Sequence, residues 1–150
     1  MADIAIFVGS VYGAAQHVAE QVEERLSEQE LDCELFMQPD VADFVDAKAI
    51  IVITSTTGQG DIPPDLEIAF LELKDAAPQL NYKPFAVAGL GDSSYGESFC
   101  GAGRQFFELL TELQGNPVAD LLEVDAMETL EPAEDVLAWI DEIKHRLLPQ

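Results

Sequence analysis

Residues 84 to 103 read PFAVAGLGDSSYGESFCGAG, an apolar run followed by a glycine-rich loop. The next residues, from Gln105 to Leu110, place apolar side chains at helical spacing. The loop is too long and too aromatic for a minimal turn, and Gly89 and Gly91 let the backbone approach a ligand closely. The order of buried strand, glycine-rich loop and helix predicts a ligand-binding segment of an α/β protein.

The same alternation of strand and helix continues along the 150-residue chain. The sequence predicts strands at 4–8, 33–37, 49–54, 85–90 and 120–124, and helices at 14–29, 65–74, 106–113 and 133–147, with one helical turn at 41–46. Repeated strand–helix units favour a parallel sheet with helices on both faces. We therefore predict a single α/β domain over residues 1–150, with five parallel strands in the order 2-1-3-4-5.

The charge balance restricts the possible partners. The chain has 29 acidic and 7 basic residues, which gives a formal net charge of -22. Nucleic acids and anionic membranes would be repelled, whereas a basic protein would be attracted. Solubility, or adaptation to a salty cytoplasm, explains the charge equally well. No apolar run is long enough to span a membrane, no basic signal-peptide start is present, and Cys33 and Cys100 lack the spacing of a metal motif. These features predict a cytoplasmic protein with reduced thiols.

Three loops follow the strands whose carboxyl ends meet where the strand order reverses. The first, residues 9–15, has two glycines and Ser10, contains no Lys or Arg, and enters a helix N-terminus. Such a loop suits a single phosphate monoester bound by N–H and O–H groups, or it is an ordinary tight turn. The second, residues 54–64, offers small hydroxyls and two glycines, and alone would be a solvated connection. In the third, Asp92 can accept a hydrogen bond from a ring N–H, and Tyr95 offers a flat face or is a half-buried surface side chain.

These stretches resemble the flavodoxin family. GLGDSSYGESFCGAG, residues 89–103, resembles the flavodoxin segment in which an aromatic residue covers one face of FMN. SVYGAA, residues 10–15, falls where flavodoxins have their phosphate loop, and STTGQGD, residues 55–61, resembles the middle flavin loop. The resemblance covers essentially the whole chain, and the fifth strand lacks the long insertion of long-chain flavodoxins. It implies a flavodoxin-like three-layer sandwich, similar to short-chain stand-alone flavodoxins of the MioC-like group.

The resemblance implies FMN as the cofactor and assigns its contacts. Residues 10–15 would hold the phosphate, residues 56–58 would line the inner side and the N5 edge of the flavin, and Tyr95 would stack on the outer face. Residues 91–92 and 100–101 would border the pyrimidine end. The full implied cofactor-binding set is Ser10, Val11, Tyr12, Gly13, Ala14, Ala15, Ser55, Thr56, Thr57, Gly58, Gly91, Asp92, Tyr95, Phe99, Cys100 and Gly101.

The chain also departs from the family pattern. Tyr12, Ala14 and Ala15 replace the usual Thr, Asn and Thr, which removes side-chain contacts to phosphate. At roughly 1–3 kcal/mol per hydrogen bond to a charged group, this change implies weaker FMN binding than in typical flavodoxins. Thr57 stands where many flavodoxins have Trp, so the second flavin face should be less covered.

The implied function is single-electron transfer, from a basic flavoprotein reductase to an unidentified redox enzyme. The Gly58–Gln59 peptide would rotate on flavin reduction, and carboxylates near the ring, Asp61, Asp65, Asp92 and Glu97, would disfavour the second electron. No catalytic acid–base or nucleophile set, no metal site and no nicotinamide site is visible, and we expect a monomer. Two alternatives stay open: a flavin-dependent quinone or NAD(P)H reductase, and an interaction module with weak or no FMN.

Overall fold

The computed structural model describes residues 3–10, 13–56, 60–91, 100–129 and 131–147. Its strands are β1 (Ile4–Gly9), β2 (Cys33–Phe36), β3 (Ala49–Ser55), β4 (Pro84–Gly91), β5 (Asn116–Pro117) and β6 (Leu122–Asp125). Its helices are α1 (Ala14–Glu28), α2 (Val41–Asp46), α3 (Pro64–Ala76), α4 (Gly101–Glu112) and α5 (Pro132–Leu147).

The strands form one parallel sheet in the order β2-β1-β3-β4-β5, with β6 also paired to β4. This arrangement confirms the predicted α/β class, the strand order 2-1-3-4-5 and the parallel pairing. Strand β2 lies at one edge and is only partly buried, whereas all six residues of β1 are buried. Because the chain returns through helices between parallel strands, every strand ends at the same edge of the sheet.

The fifth strand position differs from the prediction of one strand at 120–124, because two short strands occupy it. Phe85 of β4 pairs with Pro117 of β5, and Ala88 of β4 pairs with Leu122 of β6. The step from the first pair to the second is three residues along β4 but five residues along the outer chain. The outer chain therefore contains two extra residues between β5 and β6. Pro117 has no N–H for the sheet ladder, which is tolerated at this outer position.

The sheet separates two hydrophobic cores, and alternate residues of its central strands face opposite cores. Ile4, Ile6 and Val8 of β1 face the core under α1 and α5, and Ala5 and Phe7 face the core under α2, α3 and α4. This division follows from the period of two in a strand, which sends successive side chains to opposite faces. It explains why the central strands are apolar throughout and not alternating in polarity.

The start of α2 follows from local chemistry, whereas α4 begins earlier than predicted. The short α2 has a capping box: the Asp43 N–H donates to the Asp40 carboxylate at 3.1 Å, and the Asp40 N–H donates to the Asp43 carboxylate at 2.9 Å. Helix α4 begins at Gly101, five residues before the predicted start at 106. Glycine disfavours helix formation, but close packing favours it in this first turn, because a Cβ on Gly103 would lie 3.1 Å from the Gly89 Cα. No helix in the described ranges is both long enough and apolar enough to cross a bilayer.

Candidate functional site

The starts of the three predicted loops lie side by side at the carboxyl edge of the sheet. Gly9 of β1 pairs with Thr54 of β3, and Thr54 pairs with Gly89 of β4. One step further, Ser55 pairs with Leu90. The chain therefore enters all three loops from adjacent strands, which brings together the starts of the segments that the sequence predicts to form one site.

Ser10 forms hydrogen bonds within the protein through its backbone N–H and its hydroxyl oxygen. Its N–H donates to both carboxylate oxygens of Asp65, at 3.2 Å each, and its hydroxyl oxygen accepts the Gly13 N–H at 2.9 Å. Burial raises the pKa of Asp65, and the hydrogen bond from Ser10 opposes that rise. Because the hydroxyl oxygen is already an acceptor for Gly13, its hydrogen points elsewhere and can be donated to an anion.

The N-terminus of α1 supplies donors to the same place. Gly13, the N-cap, has a left-handed backbone with φ of 88° and no side chain of its own to cap the helix, and the first turn contains no acid. The uncapped N–H groups of a helix start carry partial positive charge and bind anions without a Lys or Arg. The donor chemistry therefore fits a phosphate monoester. Ala14 is exposed, but the Ala15 side chain is completely buried in the core under α1 and α5, which accounts for a small apolar residue there.

The middle loop is attached to the start of α4 on both sides of residues 57–59. The Ala102 N–H donates to the Thr56 hydroxyl at 3.2 Å, and the Gln105 side-chain amide donates to the Gly60 carbonyl at 2.7 Å. Gly101 lies against Gly60 so closely that a Cβ on Gly101 would be 2.8 Å from the Gly60 Cα. The structure thus brings Thr56 and Gly101, two predicted cofactor contacts from different loops, into one packed unit.

Cys100 closes the third loop and begins α4. It is fully buried with a left-handed φ of 54°, and its thiol donates to the Gly89 carbonyl with an Sγ···O distance of 3.4 Å. Burial raises the pKa of the Cys100 thiol to about 12. Gly91, at the other end of the loop, is the last residue of β4 and is partly buried. Cys100 thus contacts β4 as a neutral, inert group, not as a reactive thiol.

The predicted contacts divide into two groups. Those that the structure describes lie at the carboxyl edge and are Ser10, Gly13, Ala14, Ala15, Ser55, Thr56, Gly91, Cys100 and Gly101. The others lie outside the described residues and stay predictions: Val11, Tyr12, Thr57, Gly58, Asp92, Tyr95 and Phe99. The proposed rotation of the Gly58–Gln59 peptide is outside them too.

Three residues that contact the predicted loops were not predicted from the sequence in this role. Asp65 was expected only as a charge near the ring, and Ala102 and Gln105 were not expected to take part. Asp65 and Ser10 are 55 residues apart, so no local pattern connects them. Only the topology indicates that Asp65 and Ser10 lie close together, because Asp65 follows the Pro63–Pro64 pair that starts α3 at the same sheet edge.

Comparison with known proteins agrees with this geometry. Residues 6–139 match the family model described as Flavodoxin. The chain is 39% identical to flavodoxin YqcA of Escherichia coli K12 over 95% of this chain and 96% of the relative, and 31% identical to protein MioC of the same strain over 96% and 100%. The structure of a cysteine-to-serine mutant of a Pseudomonas aeruginosa flavodoxin superimposes with a TM-score of 0.90 at 37% identity, covering 96% of this chain and 97% of that one.

The match spans most of the chain, and the chain belongs to the flavodoxin family. Flavodoxins are electron carriers whose cofactor is FMN. The resemblance to short-chain flavodoxins, including the MioC proteins, is confirmed.

Proposed function

We propose that this chain binds FMN at the carboxyl edge of its sheet and carries single electrons between two partner proteins. The observation that carries the proposal is the convergence of the Ser10 hydroxyl and the uncapped start of α1 beside the Thr56–Gly101 unit. Bound FMN supplies one-electron chemistry, and the chain supplies donors to the phosphate together with the ring contacts predicted from the sequence. No group of three or more potential metal ligands occurs within the described ranges.

The first test compares FMN with riboflavin, which lacks the phosphate. We expect FMN to bind at least about a hundredfold more tightly, because two hydrogen bonds to a charged phosphate contribute roughly 1.5–3 kcal/mol each. Binding is measured by titrating flavin-free protein and following flavin absorption and fluorescence. Stepwise anaerobic reduction of the FMN complex should then show two separate one-electron steps.

Each alternative function gives a different result in the same experiment. A protein that leaves the spectrum of added FMN unchanged would be an interaction module, an interpretation favoured by Tyr12, Ala14 and Ala15 in the first loop. A protein that oxidises NAD(P)H without a partner would be a reductase. Either result would contradict the carrier proposal.

We further propose that the electron donor is a basic flavoprotein reductase and that the acceptor is a redox enzyme, both meeting a monomeric carrier in the cytoplasm. The net charge of -22 supports a basic partner, since opposite charges accelerate encounter.

The charge argument predicts a strong effect of salt. Electron transfer from the reduced protein to cytochrome c, used as a basic one-electron probe, should slow about tenfold or more between 0.01 and 0.5 M salt, because the Debye length falls from about 30 Å to a few ångströms. The rates are measured by stopped-flow absorbance. Transfer to a small neutral quinone is the control and should change little. Equal salt dependence with both acceptors would contradict electrostatic attraction of the partner.

A further inference from the structure

The first turn of α3 contacts the start of the phosphate loop, residues 9–15, through a charged hydrogen bond. The Ser10 N–H is shared between Asp65 Oδ1 and Oδ2, with both N···O distances at 3.2 Å. Asp65 is half-buried, so solvent screens this contact less than it would on the open surface. Hydrogen bonds to ionised acceptors are stronger than neutral ones.

Tight packing next to this bond keeps the two segments together. A Cβ on Gly9 would lie 2.5 Å from the Thr54 hydroxyl oxygen and 2.9 Å from Leu66 Cδ1, so only glycine fits there. Leu66 follows Asp65 in α3 and is completely buried. The backbone position of Ser10 is therefore set by α3 as well as by the sheet.

The contact also decides which Ser10 group is left for a ligand. The Ser10 N–H is directed to Asp65, and the hydroxyl oxygen accepts from Gly13. The hydroxyl hydrogen is the donor that remains, and the chain runs directly from Gly13 into the uncapped start of α1. Without Asp65, the Ser10 peptide could rotate, and the hydroxyl would lose its fixed direction.

We propose that Asp65 is a positioning residue for the phosphate loop: by accepting the Ser10 N–H, it aligns the Ser10 hydroxyl with the start of α1 and so favours a phosphate-bearing flavin over a phosphate-free one. This inference rests on the proposed FMN function. A carboxylate beside an anion site repels the ligand, so the benefit of Asp65 comes through its hydrogen bond to Ser10 and not through a direct electrostatic effect on the phosphate.

Two variants distinguish the effect of the Asp65 hydrogen bond from the effect of the Asp65 charge. Asp65→Asn keeps an oxygen acceptor and removes the charge, whereas Asp65→Leu removes both and keeps the branched shape of the side chain. We expect Asp65→Leu to weaken FMN binding about tenfold and to change riboflavin binding less than about twofold, because one hydrogen bond that orients a charged contact is lost. Asp65→Asn should bind FMN at least as tightly as the wild-type protein.

The proposal is overturned if Asp65→Leu binds FMN as well as the wild-type protein does, or if it loses FMN and riboflavin affinity by the same factor. Weakened FMN binding in Asp65→Asn equal to that in Asp65→Leu would also overturn it. Glu67→Leu is the matched control, because Glu67 is an exposed acid in the same turn, and its loss should not weaken FMN binding.

A measurement without flavin tests the contact itself. In flavin-free protein, hydrogen exchange of the Ser10 amide should be slow in the wild-type protein and about tenfold or more faster in Asp65→Leu, with the amides of β3 unchanged. A rapidly exchanging Ser10 amide in the wild-type protein would overturn the contact. A wild-type chain that binds FMN no better than riboflavin would overturn the proposed function, whereas FMN selectivity that survives Asp65→Leu would overturn only the role of Asp65.

Discussion

Replacing Gly101 with alanine should both destabilise the protein and weaken FMN binding. The new Cβ would lie 2.8 Å from the Gly60 Cα and 3.0 Å from the Gly60 carbonyl oxygen, which are backbone atoms that cannot move by a rotamer change. Overpacking of this kind costs about 1–3 kcal/mol, which corresponds to a fall in Tm of roughly 2–12 °C for a domain of this size. We expect FMN affinity to fall at least about tenfold in addition, since the middle loop must separate from α4.

The matched control for Gly101→Ala is Gly115→Ala, at the other end of the same helix. A Cβ on Gly115 would lie 2.8 Å from both the Leu110 carbonyl oxygen and Phe85 Cδ1, so a similar loss of stability is expected. Gly115 precedes β5, which pairs with the amino end of β4, away from the flavin edge. Thermal unfolding and FMN titration of both variants separate the two effects. Equal FMN affinity in Gly101→Ala and Gly115→Ala would contradict a role for the α4 contact in cofactor binding.

The second large effect concerns the reactivity of Cys100. With its pKa raised from the ordinary 9.0 to about 12, the thiolate fraction at pH 7 falls about a thousandfold, and the thiolate is the form that alkylating reagents attack. In the Cys33→Ser variant, which keeps Cys100 alone, we expect iodoacetamide labelling about a hundredfold or more slower than for a free thiol, because the higher nucleophilicity of a high-pKa thiolate offsets only part of the lost thiolate fraction. Complete burial of Cys100 adds to this protection.

The Cys100→Ser variant is the comparison, because it keeps only Cys33. Burial raises the pKa of Cys33 too, but this residue is partly exposed and should be labelled faster than Cys100. Both variants should react at the same rate in denaturant. Rapid labelling of Cys100 at pH 7 would contradict its burial.

The raised pKa of Cys100 also makes stability depend on pH. The folded chain keeps the thiol protonated, whereas the thiol of the unfolded chain ionises near pH 9.0. The contribution of Cys100 to stability is therefore present below pH 9.0 and is lost as pH rises towards about 12.

Strands were predictable from the sequence because their signal is local. β3 is nearly all β-branched and is buried on both faces, and a strand buried in this way reads as a continuous apolar run. Once the strand order was known, the rule for parallel sheets placed Ser10, Thr56 and Gly91 at one edge. Fold and site position therefore follow from short patterns and one topological rule.

The supporting contacts were not predictable for physical reasons. The Ser10–Asp65 bond joins segments 55 residues apart, and nothing in either segment specifies the distance between them. The first turn of α4 contains Gly101 and Gly103, which pack closely against Gly60 and Gly89, and the low helix propensity of glycine hid the observed start from a local pattern. The break between β5 and β6 is likewise a matter of register with β4, which the apolar pattern of Leu121 to Val124 does not show.

The break between β5 and β6 is a position where the chain can accept additional residues. The two extra residues between β5 and β6 already interrupt the ladder with β4, so added chain there would remove no existing strand pairing. The entropy of closing a longer loop grows slowly, by about 0.6 kcal/mol for each doubling of its length. The outer border of the sheet is therefore a place where this architecture can accept an inserted segment, while the edge that carries Ser10 and Thr56 keeps its geometry.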